Sequence, residues 1–121
     1  MIYCTTRKEP LIYDNYGCWC GFGGIGKPVD GIDACCRDHD HCYDYGAVHN
    51  CSAGLDEMYL IPYFWWCYKT QQGHRALCSS FNPLGECSRK VCACDSAGAK
   101  CFAQFTPQKK YENYNRSLCH G

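Results

Sequence analysis

"GFGGIGKPVDGIDACCRDHDHCY", residues 21–43, joins a glycine-dense loop to a His-Asp pair hemmed in by cysteines, and the purpose of that loop decides how the whole chain is read. As bare patterns, Gly21-Phe22-Gly23-Gly24-Ile25-Gly26 satisfies the dinucleotide-binding fingerprint, and with Lys27 it nearly satisfies the phosphate-loop pattern. Either motif requires an apolar strand just before the loop and a helix opening at its last glycine, because the phosphates rest on that helix N-terminus. Here Cys18-Trp19-Cys20 precedes, Pro28 follows, and neither Ser nor Thr stands after the lysine. The context argues against both nucleotide readings.

Downstream of the loop the pattern becomes helical. Pro28-Val29-Asp30 reads as a helix start, with Asp30 as N-cap and Asp33 three residues on. From Ile32 to about Tyr45 nothing breaks a helix, and Cys35, Cys36, His39, Cys42 and Tyr43 recur at three- and four-residue steps, which places them on one face. Gly46 supplies the stop. A second helix is expected from about Glu86 to Cys101, after the breakers Asn82, Pro83 and Gly85, with Cys87, Val91, Cys94 and Cys101 along one stripe. Residues 63–78 read as a short β-hairpin, since "YFWWCY" is rich in strand-forming aromatics and Gln71-Gln72-Gly73 can reverse the chain toward "HRALC". The tail, 105–121, reads as polar and irregular. No repeats, low-complexity tracts or linkers divide the chain, so residues 1–121 are taken as a single domain.

Composition bounds the chemistry. Fourteen of 121 residues are cysteine, spread from Cys4 to Cys119, an even number that allows seven bridges and places the chain among disulfide scaffolds of oxidising, extracellular compartments. A metal-binding protein is the alternative, but zinc sites repeat C-x₂₋₄-C spacings, and gaps such as Cys18-x-Cys20, Cys35-Cys36 and Cys92-x-Cys94 do not. Connectivity does not follow from counting. Twelve basic residues balance twelve acidic ones, so no global field attracts nucleic acid. No stretch approaches the roughly 18 apolar residues of a membrane span. An exported chain needs a leader and none precedes this domain, so Met1 is read as the start of a processed or an incomplete form.

Two constellations carry chemistry. Carbonyls of alternate residues in an extended loop point the same way, so Trp19, Gly21 and Gly23 can aim three oxygens at one point, and Asp40 can add a carboxylate if the helix packs beneath. Calcium takes such a mixture of oxygens; a plain glycine turn pinned by Cys18 and Cys20 is the other reading. His39, one residue from Asp40 and on the cysteine face, can act as a general base if a second carboxylate fixes its tautomer. Asp95, just after Cys94, is the candidate for that carboxylate. A packed histidine with surface aspartates is the alternative.

"YGCWCGFGGIGKPVDGIDACCRDHDHCY", residues 16–43, together with "CACD", residues 92–95, resembles the secreted phospholipase A2 family, whose pattern is YGCYCGxGGxGxPxDxxDxCCxxHDxCY followed by CxCD. Every glycine, cysteine and acidic position of that pattern is present, and the resemblance runs from Met1 to Cys119. The spacing of the fourteen cysteines resembles the pancreatic and elapid type, and the step from Cys51 to Tyr59 resembles the pancreatic form. The resemblance implies a mainly α fold of two long, antiparallel, disulfide-bridged helices, a calcium-binding glycine loop and a small β-hairpin wing. It implies the bridges Cys4–Cys67, Cys18–Cys119, Cys20–Cys36, Cys35–Cys101, Cys42–Cys94, Cys51–Cys87 and Cys78–Cys92. It further implies a secreted enzyme that hydrolyses the sn-2 ester of glycerophospholipids at a membrane or micelle surface. In that reading Ca²⁺ is held by the carbonyls of Trp19, Gly21 and Gly23 and by Asp40, and His39 activates water. Asp95 orients His39, Tyr43 and Tyr63 hold Asp95, the Gly21 N–H faces the oxyanion, Tyr59 reaches the substrate phosphate, and Ile2 belongs to the lipid channel.

The chain departs from the family pattern in two places. Trp19 replaces the usual tyrosine, at a position where the ligand is a backbone carbonyl. Family members begin with roughly two more helical turns before Met1, turns that line the lipid channel, so a weakened response to interfaces is expected. Phe22, Phe64, Trp65 and Trp66 are the candidates for membrane docking, with packing of the hairpin as the competing use of the tryptophans. Asn115-Arg116-Ser117 and Asn50-Cys51-Ser52 are glycosylation sequons, the second with a cysteine in its middle. The rival function is a non-catalytic scaffold of the same build, acting as a toxin or receptor ligand.

Overall fold

The computed structural model describes residues 1–21, 23–51, 61–82 and 85–120. Its two long helices start and stop where local chemistry dictates. Asp30 has an extended backbone, and its side chain accepts from the Asp33 N–H at 2.9 Å, satisfying one of the orphan donors at the start of helix α2, Gly31–Tyr45. Gly46 closes α2 as expected, but with φ of −120° instead of a left-handed turn. Space is what demands glycine there, because a Cβ would lie 2.8 Å from the Cys42 carbonyl oxygen. Helix α3 runs Glu86–Phe102, one residue past the expected end. A short helix α1, Ile2–Thr6, opens the chain. Single 3₁₀ turns stand at Pro10–Tyr13, Ala47–Asn50, Lys109–Tyr111 and Arg116–Leu118, the last two inside the tail read as irregular. One turn is too short to show a period in sequence.

All seven bridges implied by the resemblance form. Two of them set the architecture. Cys35 joins Cys101 and Cys42 joins Cys94, so a seven-residue advance along α2 meets a seven-residue retreat along α3. The helices therefore lie antiparallel, with two rungs about 10 Å apart along the axes. Of the other five, Cys20–Cys36, Cys78–Cys92 and Cys51–Cys87 tie the glycine loop, the hairpin and the segment after α2 to this ladder, Cys18–Cys119 ties the glycine loop to the tail, and Cys4–Cys67 ties α1 to the hairpin.

The hairpin pairs strand β1, Trp65–Thr70, with strand β2, Gly73–Cys78, in an antiparallel register running from Trp65 opposite Cys78 to Thr70 opposite Gly73, reversed by Gln71-Gln72. Its tryptophans divide: Trp65 is half-buried, while Trp66 is 49% exposed beside Phe64 at 58%. Among the described residues no helix is long and apolar enough to cross a membrane.

Burial falls into two clusters, one at each end of the helix pair. Tyr13, Tyr16, Cys20, Ile32, Cys35, Cys36 and Phe102 pack beneath the glycine loop, with Tyr13 stacked on Phe102 at 4.5 Å between ring centres. Tyr43, Ala47, Cys51, Cys87, Val91 and Cys94 pack at the other. Disulfide sulfur supplies much of what branched aliphatics contribute in larger cores. Ile32 is the largest fully buried aliphatic side chain of the first cluster. Replacing it, Ile32→Ala, is expected to cost about 2–5 kcal/mol in guanidinium unfolding with the bridges intact; a loss below 1 kcal/mol would show that the bridges alone define this end of the fold.

Candidate active site

The two rungs between α2 and α3 bracket His39 on one helix and Asp95 and Gly98 on the other. His39 Nε2 lies 2.6 Å from Asp95 Oδ1. A carboxylate only accepts, so Nε2 carries the proton, and a neutral ring then has a bare Nδ1 that can take another. Two further donors converge on the same carboxylate: the Tyr43 hydroxyl donates to Oδ1 at 2.7 Å and the Tyr63 hydroxyl to Oδ2 at 2.6 Å. Burial pushes the Asp95 carboxyl up, but the bonds from His39, Tyr63 and Tyr43 outweigh it and hold the group below the ordinary aspartate value. Burial and then the bond to Asp95 push the Tyr63 hydroxyl well above its usual range, which keeps it a donor. Gly98 has a packing role: a Cβ there would come within 3.3 Å of the His39 ring, so its absence lets the imidazole lie against α3.

This network opens into a cavity of about 500 Å³. Met1, Ile2, Ala99 and Phe102 form its apolar wall, and His39, Asp40, Tyr63 and Asp95 bring polar groups to it. Trp19 and Gly21 contribute the edge formed by the glycine loop. Of the residues singled out from sequence, His39, Asp95, Asp40, Tyr63, Trp19, Gly21 and Ile2 thus meet around one cavity, with Tyr43 bonded to Asp95 from within α2. Gly23 lies farther along the loop and is not part of the lining. Tyr59, Phe22 and Ser52 of the second sequon lie outside the described residues.

The loop owes its shape to a residue whose importance the sequence reading missed. Asp33 is fully buried and its carboxylate accepts from three backbone N–H groups: Cys18 at 2.8 Å, Trp19 at 2.7 Å and Val29 at 2.9 Å. One side chain in the first turn of α2 therefore draws together both ends of the glycine loop, and the helix dipole favours its charge. Gly17 makes room for it, since a Cβ there would sit 2.5 Å from the carboxyl carbon. Trp19 closes the loop by donating from Nε1 to the Gly26 carbonyl at 3.0 Å, its indole lying where a Cβ on Gly24 would intrude. In sequence Asp33 showed only as a helix-start residue; a buried position inside a helix otherwise lined with cysteine was the available signal.

Whether this site suits a hard cation can be judged from its own groups. Every cysteine is bridged, which removes thiolate ligands, and among the described residues no three His, Cys, Asp or Glu side chains gather into a metal cluster. What remains is oxygen. Asp40 is half-buried at the cavity edge and makes no hydrogen bond or ion pair among the described residues. Burial pushes its carboxyl above the usual aspartate range, outweighing the opposing influence of His39, His41 and Arg116. The loop beside it already cradles a cation: the Arg116 guanidinium donates to the carbonyls of Gly17, Cys20 and Gly23. A single carboxylate with a fence of backbone carbonyls fits calcium better than a nitrogen- or sulfur-seeking metal.

Residues 1–115 match the family model described as phospholipase A2. Among curated proteins, the chain is 40% identical over 122 residues to phospholipase A2 A2-actitoxin-Cgg2a of Condylactis gigantea, covering 98% of this chain and 94% of the relative. It is 40% identical over 121 residues to the acidic phospholipase A2 homolog textilotoxin D chain of Pseudonaja textilis, covering 98% of this chain and 76% of the relative. With phospholipase A2 of Ovis aries the identity is 36% over 122 residues, with coverages of 98% and 94%.

Two outcomes follow from the geometry. Asp33→Asn places an amide where three N–H donors converge, and amide exchange at Cys18, Trp19 and Val29 is expected to speed up by at least tenfold while α3 stays protected; unchanged protection would remove Asp33 as the organiser of the loop. For Asp95 the folded pKa is depressed, so its stabilisation is present above the unfolded value of about 3.9 and is lost as pH falls through the folded value. The stability gap between the wild type and Asp95→Asn should therefore be constant above about pH 5 and shrink below about pH 4 in guanidinium titrations.

Proposed function

As this chain belongs to the phospholipase A2 family, we propose that it hydrolyses the sn-2 ester of glycerophospholipids with calcium as cofactor, releasing a fatty acid and a lysophospholipid. The observation that supports this most is the convergence, on one apolar-walled cavity, of a histidine hydrogen-bonded to a half-buried carboxylate and a second carboxylate that has no hydrogen bond or ion pair among the described residues, beside a carbonyl-rich loop. Ester hydrolysis needs both halves, a base for water and a positive field for the oxyanion.

His39 accepts a proton from water at Nδ1, and the oxygen attacks the sn-2 carbonyl carbon. Asp95 keeps the ring in the required tautomer and stabilises the imidazolium as it forms, while Tyr43 and Tyr63 hold Asp95 ionised and in place. The imidazolium then returns its proton to the departing glycerol oxygen. Trp19, Gly21 and Gly23 through their carbonyls, and Asp40 through its carboxylate, would hold the calcium, which when bound would supply Lewis-acid stabilisation of negative charge on the carbonyl oxygen. The Gly21 N–H donates to the same oxygen. Ile2, Met1, Ala99 and Phe102 take the acyl chain, and Tyr59 binds the phosphate. Half-buried Trp65 packs the hairpin, while Trp66 and Phe64 dock on the lipid surface. Seven bridges suit an extracellular site of action.

The non-catalytic scaffold is the other function this family build allows, and turnover separates the two. With phosphatidylcholine in mixed micelles and as short-chain monomers, sn-2 fatty acid is expected to appear with millimolar Ca²⁺ and to vanish with chelator. His39→Gln should slow it by about 10²- to 10⁴-fold. Absence of release on both substrates, from protein with all seven bridges formed, would establish the scaffold instead.

A further inference from the structure

We infer that Arg116 is an internal competitor of calcium, a tethered cation whose grip on the glycine loop lowers the loop's affinity for the metal. The inference rests on the calcium reading of that loop. A guanidinium offers five N–H donors in a rigid fork. All three nitrogens of the Arg116 guanidinium donate to the loop's backbone: Nε to the Gly17 carbonyl at 3.0 Å, Nη2 to the Cys20 carbonyl at 2.5 Å, and Nη1 to the Gly23 carbonyl. Gly23 is one of the three proposed carbonyl ligands, and it and Gly17 have positive φ, 68° and 60°, the backbone setting that turns their carbonyls. The guanidinium charge is also felt at Asp40, the proposed carboxylate ligand. One cation thus already uses part of what a second would need.

The same bonds could instead be a brace that shapes the loop for calcium, and the two roles predict opposite effects. The surroundings decide between them. The loop is held without Arg116, by the bridges Cys18–Cys119 and Cys20–Cys36, by the three bonds to Asp33 and by Trp19 to Gly26. The tail adds two backbone bonds, Gly17 N–H to the Tyr111 carbonyl at 3.0 Å and Lys27 N–H to the His120 carbonyl at 3.2 Å. Shape is over-determined, so what Arg116 adds is positive charge. A divalent ion bound to Gly23 and Asp40 must share a carbonyl with that charge or displace it, and either lowers its affinity. By linkage, calcium must loosen Arg116 to the same degree that Arg116 weakens calcium. Arg116 opens the 3₁₀ turn Arg116–Leu118, whose Asn115 side chain accepts from Ser117. The tail turn is therefore the element that would yield.

Calorimetric titration of the full, disulfide-intact chain with CaCl₂ tests this directly. Arg116→Gln, which keeps hydrogen-bonding capacity and removes the charge, is expected to bind calcium about five- to fiftyfold more tightly than the wild type, the usual range for coupled sites. Arg116→Lys, which keeps the charge, should stay within about threefold of the wild type. Nuclear magnetic resonance of the wild-type Arg116 side-chain N–H groups should show faster exchange with water once calcium is added. Equal or weaker binding by Arg116→Gln, with the wild type still binding, would overturn the competitor and leave a brace or a bystander. Failure of both proteins to bind calcium would overturn the calcium reading of the loop, and this inference with it.

Discussion

The antiparallel ladder of Cys35–Cys101 and Cys42–Cys94 is the constraint on which the remaining geometry depends. Two rungs two helical turns apart leave α2 and α3 no freedom to slide or rotate against each other, and the side chains between the rungs inherit that rigidity. A 2.6 Å bond from His39 to Asp95, and two tyrosine hydroxyls within 2.7 Å of the same carboxylate, require registration that a core of this size would supply poorly through apolar packing alone. Covalent rungs make it part of the backbone. The glycine at 98 belongs to the same solution, since a Cβ there would crowd the His39 ring at 3.3 Å and push it by a few tenths of an ångström.

The loop is built on the opposite principle, by many weak ties to one end of the ladder. Asp33 collects three N–H groups from residues distant in the loop, Trp19 closes across it, and the tail wraps its outer side through Tyr111, Arg116 and His120. Two of the glycines make way for a specific neighbour, Gly17 for the Asp33 carboxylate and Gly24 for the Trp19 ring, while Gly23 has open space and a positive φ of 68°. The glycine density that imitates a nucleotide motif is, in three dimensions, the clearance needed to bring a carboxylate, an indole and a backbone segment against one short loop.

Charge is distributed with equal economy. The carboxylate of Asp95 receives three donors and is held ionised, whereas Asp40, one residue from His39 in sequence, lies half-buried at the cavity edge with no hydrogen bond or ion pair among the described residues. Two aspartates lining one cavity are thus pushed in opposite directions by their surroundings, Asp40 upward by burial and Asp95 downward by its three hydrogen bonds, which outweigh its burial. That division supports the proposed roles more strongly than the mere presence of the residues does.

The sequence by itself determined the helix limits at Asp30 and Gly46, the hairpin and its reversal at Gln71-Gln72, and the face shared by His39 and the α2 cysteines, because caps, breakers and helical periodicity are local properties. The seven pairings were legible only by resemblance, since fourteen identical thiols carry no local mark of their partners. Tertiary structure alone decided that Asp33 would gather the loop, that Gly98 would seat the imidazole, and that Arg116 would reach back across 93 residues to Gly23. A signal for the last was present but unreadable in one dimension: Arg116 stands three residues before Cys119, and only the bridge from Cys119 to Cys18 brings that stretch of tail to the loop. Local propensity writes the elements, but a charge that acts at a distance along the chain acquires its partner only when the covalent ladder has closed.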